Sequence, residues 1–254
     1  MKRSFVSLAS LLFLGCGPAV ALQAPKPTPL AVATQGDVSV ELLTFGPLVV
    51  GQNRVFYRVT RDGAPVPHAE LEQRPMMEMA GMAQGCPLVN PDHAPNADGL
   101  WEGLIVFTDA EAWGLKLKVE LEHEGTSELV DFGHLSVSPS SMEKVVTRDG
   151  KQLVITLGYA EAPHTGANPV VITAHQAKDA TMTEFITVDD LVFTLTPEMP
   201  SMGHGAAGSM KPTRGEDGLY RATVVLSMPG DWVLHLGVAA NDAPLSALDF
   251  ALEL

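Results

Sequence analysis

Cysteine is almost missing from this 254-residue chain, which has only Cys16 and Cys86. A disulfide framework is therefore excluded as the source of its stability. Basic residues are scarce too: 16 Lys and Arg stand thinly among 30 Asp and Glu, for a formal net charge of −14. Displacing counterions from a phosphate backbone needs clustered positive charge, so nucleic-acid binding is excluded, and the acidity reads as solubility. No long stretch has helical periodicity. No H-E-x-x-H, G-x-S-x-G or Gly-rich phosphate loop occurs, so catalysis is not expected. A blue-copper site would need Cys, His and Met closely spaced beside a distant His; Cys86 to His93 with no following Met does not supply it.

What is present begins with an export signal expected over residues 1–21. Lys2 and Arg3 give a positive start and Phe5 through Leu14 an apolar stretch too short to span a bilayer. Two cleavage readings stay open. Phe13-Leu14-Gly15-Cys16 resembles a lipobox, with Phe where Leu is usual, and would attach the chain to a bacterial membrane by lipid; Ala19-Val20-Ala21 resembles an ordinary small-x-small site. Either product is extracytoplasmic, in the periplasm or lipid-anchored. Loss of residues 1–15 removes Lys2 and Arg3 and moves the formal charge from −14 to −16. Either route also leaves Cys86 as a lone thiol, read as a small buried residue or as a metal ligand.

Residues 22–35 read as a Pro-rich tether, with Pro25, Pro27 and Pro29. Short apolar–polar alternations follow, such as Val38, Val40, Leu42 and Leu115, Leu117, Val119, Leu121, punctuated by Asp-Gly pairs at 62, 98, 149 and 217. These are half-buried strands and their turns. The chain also repeats itself. Asp98-Gly99-Leu100-Trp101 and Asp217-Gly218-Leu219-Tyr220 lie 119 residues apart, as do Trp113 and Trp232, and Gly51-Gln52-Asn53 answers Gly166-Ala167-Asn168 at a slightly shorter offset. A unit of ~100 residues with about seven strands has the rhythm of an immunoglobulin-like sandwich. The expected fold is all-β: two tandem immunoglobulin-like β-sandwich domains over 36–138 and 143–254.

One further segment repeats. Glu78-Met79-Ala80-Gly81-Met82-Ala83-Gln84-Gly85 matches Glu198-Met199-Pro200-Ser201-Met202-Gly203-His204-Gly205 at Glu, both Met and the final Gly. With Met76, Met77 and Met210, these regions hold seven of the eleven methionines, placed by sequence between strands. Thioether is a soft neutral donor suited to Cu(I), and imidazole extends such a site to Cu(II). Met199, Met202, His204 and Met210 are the candidate metal ligands of the second copy; Met79, Met82, Cys86 and His93 are those of the first, where Gln84 replaces His204. The competing reading has Met79 and Met199 as flexible filler at the ends of the sandwiches. His68, His123, His134, His164, His175 and His235 are scattered and read as surface or satisfied histidines.

Thr196-Pro197-Glu198-Met199-Pro200-Ser201-Met202-Gly203-His204-Gly205, then Asp217-Gly218-Leu219-Tyr220-Arg221-Ala222, then Met228-Pro229-Gly230-Asp231-Trp232, resembles the YtkA-like and FixH-like group of extracytoplasmic bacterial domains. The resemblance covers the second half well. In the first half Ala80, Gln84 and Asp109-Ala110-Glu111 depart from the pattern. It implies a small immunoglobulin-like fold, a copper-handling role for Met199, Met202 and His204, and a copper-receiving partner such as a respiratory oxidase. The expected function is that of a copper carrier, chaperone or resistance factor; the rival is a metal-free module that meets a protein partner through its Met-rich loops.

Overall fold

The computed structural model describes residues 26–254, except 80, 122–124, 126, 203, 206–207 and 242; of 79, 204 and 205 it describes the backbone alone. The expected export segment, with Cys16, and His123 lie outside the described residues. Among the described residues no helix is long and apolar enough to cross a membrane.

The first half contributes ten strands: β1 (Thr28–Gln35), β2 (Val38–Thr44), β3 (Gly51–Arg61), β4 (Ala64–Pro65), β5 (Ala69–Met79), β6 (Met82–Gln84), β7 (Leu88–Val89), β8 (Trp101–Phe107), β9 (Ala112–Leu121) and β10 (Ser127–Ser136). The second repeats them as β11 (Glu143–Arg148), β12 (Lys151–Tyr159), β13 (Gly166–Ala177), β14 (Phe185–Thr187), β15 (Leu191–Met199), β16 (His204–Gly205), β17 (Thr213–Arg214), β18 (Tyr220–Leu226), β19 (Asp231–Ala240) and β20 (Ala243–Glu253). One sheet runs β1-β2-β3-β8-β7 and its partner β10-β9-β5-β6; the second half runs β11-β12-β13-β18-β17 and β16-β15-β19-β20. Setting aside the outer β1 and β11, β2-β3-β8-β7 with β5-β9-β10 is the A-B-E-D and C-F-G arrangement of an immunoglobulin-like sandwich, and β12-β13-β18-β17 with β15-β19-β20 repeats it. The fold is two tandem sandwiches of this kind.

Alternation explains the cores. On β9 Trp113, Leu115, Leu117 and Val119 point inward while Lys116 and Lys118 do not; on β19 Trp232, Leu234, Leu236 and Val238 point inward. Each set lies in its own hydrophobic cluster, one per half. Asp62-Gly63 and Asp149-Gly150 close tight hairpins with positive φ at both residues (49° and 78°; 51° and 73°), which Asp and Gly tolerate better than most.

Residues 28–35, expected to belong to the tether, form strand β1 instead. Thr28–Gln35 pairs antiparallel with β2, and the ladder shifts register between Pro29 and Ala31. Proline is tolerated there because β1 is an edge strand.

The halves meet through the outer faces of their six-stranded sheets. Leu104, Val106 and Val154 form a small dry cluster, with Val89, Phe185 and Leu219 packed against it. Gln52 Nε2 donates to the Thr156 and Val171 carbonyls across the seam at 3.3 and 3.0 Å, and the Gly85 amide donates to the Met182 carbonyl at 3.0 Å. The linker is tied at both ends, Ser138 exchanging hydrogen bonds with Leu48 and Val50, and Met142 accepting from the Leu157 amide. A cleft of about 900 Å³ opens beside this junction, lined among others by Phe45, Arg54, Tyr159 and Arg221.

Candidate metal centre

The second hairpin is built from the end of β15, a 3-10 turn over Pro200–Met202, and β16, with Glu198 opposite Gly205 and Met199 opposite His204. Alternation along β15 turns Leu195, Pro197 and Met199 inward. Met199 is only 5% exposed and belongs to the same core cluster as Trp232. Its methyl lies where a Cβ on Gly230 would stand, so the glycine of the Pro229-Gly230 turn makes room for the thioether; its φ of 138° also favours glycine. Met202, at the end of the turn, is 53% exposed. Met210 sits elsewhere: it exchanges hydrogen bonds with Leu195, four residues or roughly 13 Å back along β15, and is partly buried against the core. Met228 packs against that core as well, and its carbonyl accepts from Trp232 Nε1 at 3.0 Å.

The first hairpin pairs Met77 with Gln84, Glu78 with Ala83 and Met79 with Met82. Its relation to the second differs from the ungapped sequence match. Gly114 and Val233 each follow the repeated tryptophan, and they pair with Met76 and Glu198 respectively. By ladder register Pro75 therefore answers Pro197, and Met77 answers Met199. Burial agrees, since Met77 is 2% exposed. The expected superposition of Met79 on Met199 is thus corrected: the first hairpin carries two more residues between its paired positions. Gln84 and His204 do correspond, facing Met77 and Met199. The methionines placed between strands are corrected likewise, since Met76, Met77 and Met79 belong to β5, Met82 to β6 and Met199 to β15. Met82 is 71% exposed. Gln84 Nε2 donates to Thr108 Oγ1 at 3.0 Å.

Cys86 and His93 are not brought together. Cys86 is buried in the first core, where desolvation, and then the charge of Glu143, pushes its thiol well above its ordinary range; a thiol held protonated is a poor metal ligand. His93 is exposed, its carbonyl accepting from the Ala69 amide at the start of β5. Met79 ends that strand, ten residues or roughly 33 Å further on. Among the described residues, no three His, Cys, Asp or Glu side chains converge to hold a metal.

Two features escaped sequence reasoning. His235 is flanked by carboxylates, Nδ1 at 2.7 Å from Asp249 Oδ1 and Nε2 at 3.0 Å from Glu198 Oε2, which raise its pKa, Asp249 most strongly. Lys116 and Asp131 hold the matching ladder positions in the first half, 3.6 Å apart, so the histidine stands where the first half has a lysine. His175 is neither surface nor satisfied, which corrects the expectation for that residue. It is 2% exposed, and both ring nitrogens lack a hydrogen-bond partner among the described residues.

Fold and hairpins together define a tandem immunoglobulin-like β-sandwich protein. Residues 147–237, from β11 into β19, match the YtkA-like family, which bears out the resemblance in the second half. No curated protein matches. Solved structures that align over most of the chain include a DUF4785 family protein from Legionella pneumophila (12% identity, 86% of this chain and 56% of that one, TM-score 0.29). The chicken interferon gamma receptor alpha chain aligns at 8% identity, covering 91% and 99%, with a TM-score of 0.28. A two-domain fibronectin type-III segment of chicken tenascin does so at 8%, covering 88% and 99%, with a TM-score of 0.26. The chain thus spans about 56% of the Legionella protein's length.

Proposed function

We propose that the protein is an extracytoplasmic copper carrier that holds Cu(I) at the second hairpin through Met202 and His204. The observation that carries this reading is that both hairpins leave a methionine in water, Met202 and Met82, each two residues before the position held by His204 or Gln84, while the methionines paired with those positions, Met199 and Met77, are buried. An exposed apolar side chain kept at the same place in both copies needs a role beyond packing, and service as a neutral soft donor, complemented in the second copy by the imidazole of His204 two residues on, would provide one. Met199 then anchors the hairpin from the core instead of binding the ion. Two donors leave room for a ligand from a receiving protein, which suits transfer.

The test is a competition titration with a Cu(I) chelator on the mature protein and on Met202→Leu, His204→Ala and Met199→Leu, with thermal melts alongside. Met202→Leu and His204→Ala lose copper at unchanged melting temperature, while Met199→Leu retains it. Exposed methionine also suits an adaptable protein contact; equal copper uptake by all four proteins would favour that reading and remove the copper one.

A further inference from the structure

We infer that the seam between the two halves is an acid-operated latch, in which the buried, unpartnered imidazole of His175 is tolerated by the closed seam while neutral and drives the sandwiches apart when protonated.

The inference starts from strand parity. Val170, Ile172 and Ala174 of β13 belong to the second core, so Val171, Thr173 and His175 face the other way, toward the first half. The Val171 carbonyl accepts from Gln52, and Val154, which pairs with His175 across the ladder, lies in the cluster with Leu104 and Val106. His175 is therefore part of the seam. The sandwich itself does not require a histidine there: Asn53 and Asn168 occupy the same place in their halves, and counting along the strands sets Thr60 opposite His175.

The residues paired with His175 across the ladders are apolar or neutral, Val154 on β12 and Thr187 on β14, and Val154 itself packs with Leu104 and Val106 of β8, against which Val89 of β7, Phe185 and Leu219 also lie. The ionisable groups bordering the junction include Glu143 at the head of β11, Cys86 ahead of β7 and Asp109 after β8, and, along the cleft, Asp92, Glu161, Tyr159 and the ion pairs Arg54–Glu102 and Arg221–Asp217. At the far end of β13 and β14, Lys178 and Glu184 pair with each other, and Arg148 beside Gln176 pairs with Asp190. Glu143, pushed up to about 7 by burial and then by Asp109, becomes neutral as pH falls, so it does not open the seam in acid.

Burial pulls His175 down to about 4 from 6.5. A depressed histidine favours the closed state when neutral, so its contribution is complete above about pH 6.5 and is lost as pH falls toward 4. Below that range the charged ring needs two hydrogen-bond acceptors that the closed seam lacks, and opening admits water. The seam is the weak element, since each half keeps its own core while, among the described residues, a small apolar cluster and a few hydrogen bonds join them.

Small-angle scattering of the mature chain from pH 7.5 to 4 tests this, with tryptophan fluorescence reporting the cores through Trp113 and Trp232. The expected result is a rise in radius of gyration with a midpoint between pH 6.5 and 4 and unchanged fluorescence. His175→Gln should stay compact over the range; His175→Thr, matching Thr60, serves if the first variant misfolds. A wild type that stays compact, a variant that opens at the same midpoint, or fluorescence lost together with compactness would each overturn the latch.

Discussion

The two halves share a scaffold and differ at its surfaces. Trp113 and Trp232 each follow the first residue of their strand, and each donates its indole N–H to a carbonyl four residues earlier, of Asp109 and Met228. Asn53 and Asn168 each receive a backbone amide and donate to two carbonyls around the turn that opens their strand. The outer faces of the four-stranded sheets have diverged. The first carries Arg74–Glu72 and Lys118–Glu120 ion pairs at 2.9 Å, while the second presents Val192, Thr194, Gly237 and Ala239 around His235. Buried hydrogen bonds and ring packing tolerate few substitutes, whereas exposed faces and hairpin tips are free to acquire separate tasks.

The largest expected effect lies where the halves agree. Trp113→Ala and Trp232→Ala should each cost about 3–5 kcal/mol, because each removes a buried indole and leaves a cavity. Urea unfolding would break the comparison if one were nearly neutral. Gly230→Ala should lose about 1–3 kcal/mol, since the added methyl collides with Met199 and the backbone is strained for any other residue. The first half has Glu111 at the matching place, so Glu111→Ala should be nearly silent in the same melts. Asn53→Ala and Asn168→Ala should lose similar amounts, about 1–3 kcal/mol each, by orphaning backbone groups.

The smallest effect concerns pH. His235 is raised by its carboxylates, so its contribution is full below 6.5 and lost as pH rises through the folded value. The group is partly exposed and screened, which limits the effect to a few tenths of a kcal/mol. His235→Lys, copying Lys116, should flatten that slope in stability measured between pH 6 and 9.

Much of this was legible in the chain. Alternation at Leu115 to Leu121, the Asp-Gly turns and the repeated tryptophans point to the two sandwiches, because strand period and turn chemistry are local properties. Pro29 hid β1, since proline reads as a strand breaker unless the strand is known to be an edge. The offset of Met79 from Met199 was hidden by an ungapped match of Glu, two Met and Gly; only ladder pairing shows that Pro75 answers Pro197 and that the first hairpin is longer. The environment of His175 depends on how two separate sheets face each other, which no periodicity within β13 encodes. Exposure of Met202 beside a buried Met199 was likewise invisible, because both lie in one short stretch of similar composition.

The most direct test of the difference between the hairpins is copper stoichiometry, measured by Cu(I) competition on the mature wild type, on His204→Gln, which gives the second hairpin the residue of the first, and on Gln84→His, which does the reverse. One strongly held Cu(I) per wild-type chain, its loss in His204→Gln and a gain of uptake in Gln84→His is the result this account predicts. Copper held equally by wild type and His204→Gln would contradict it.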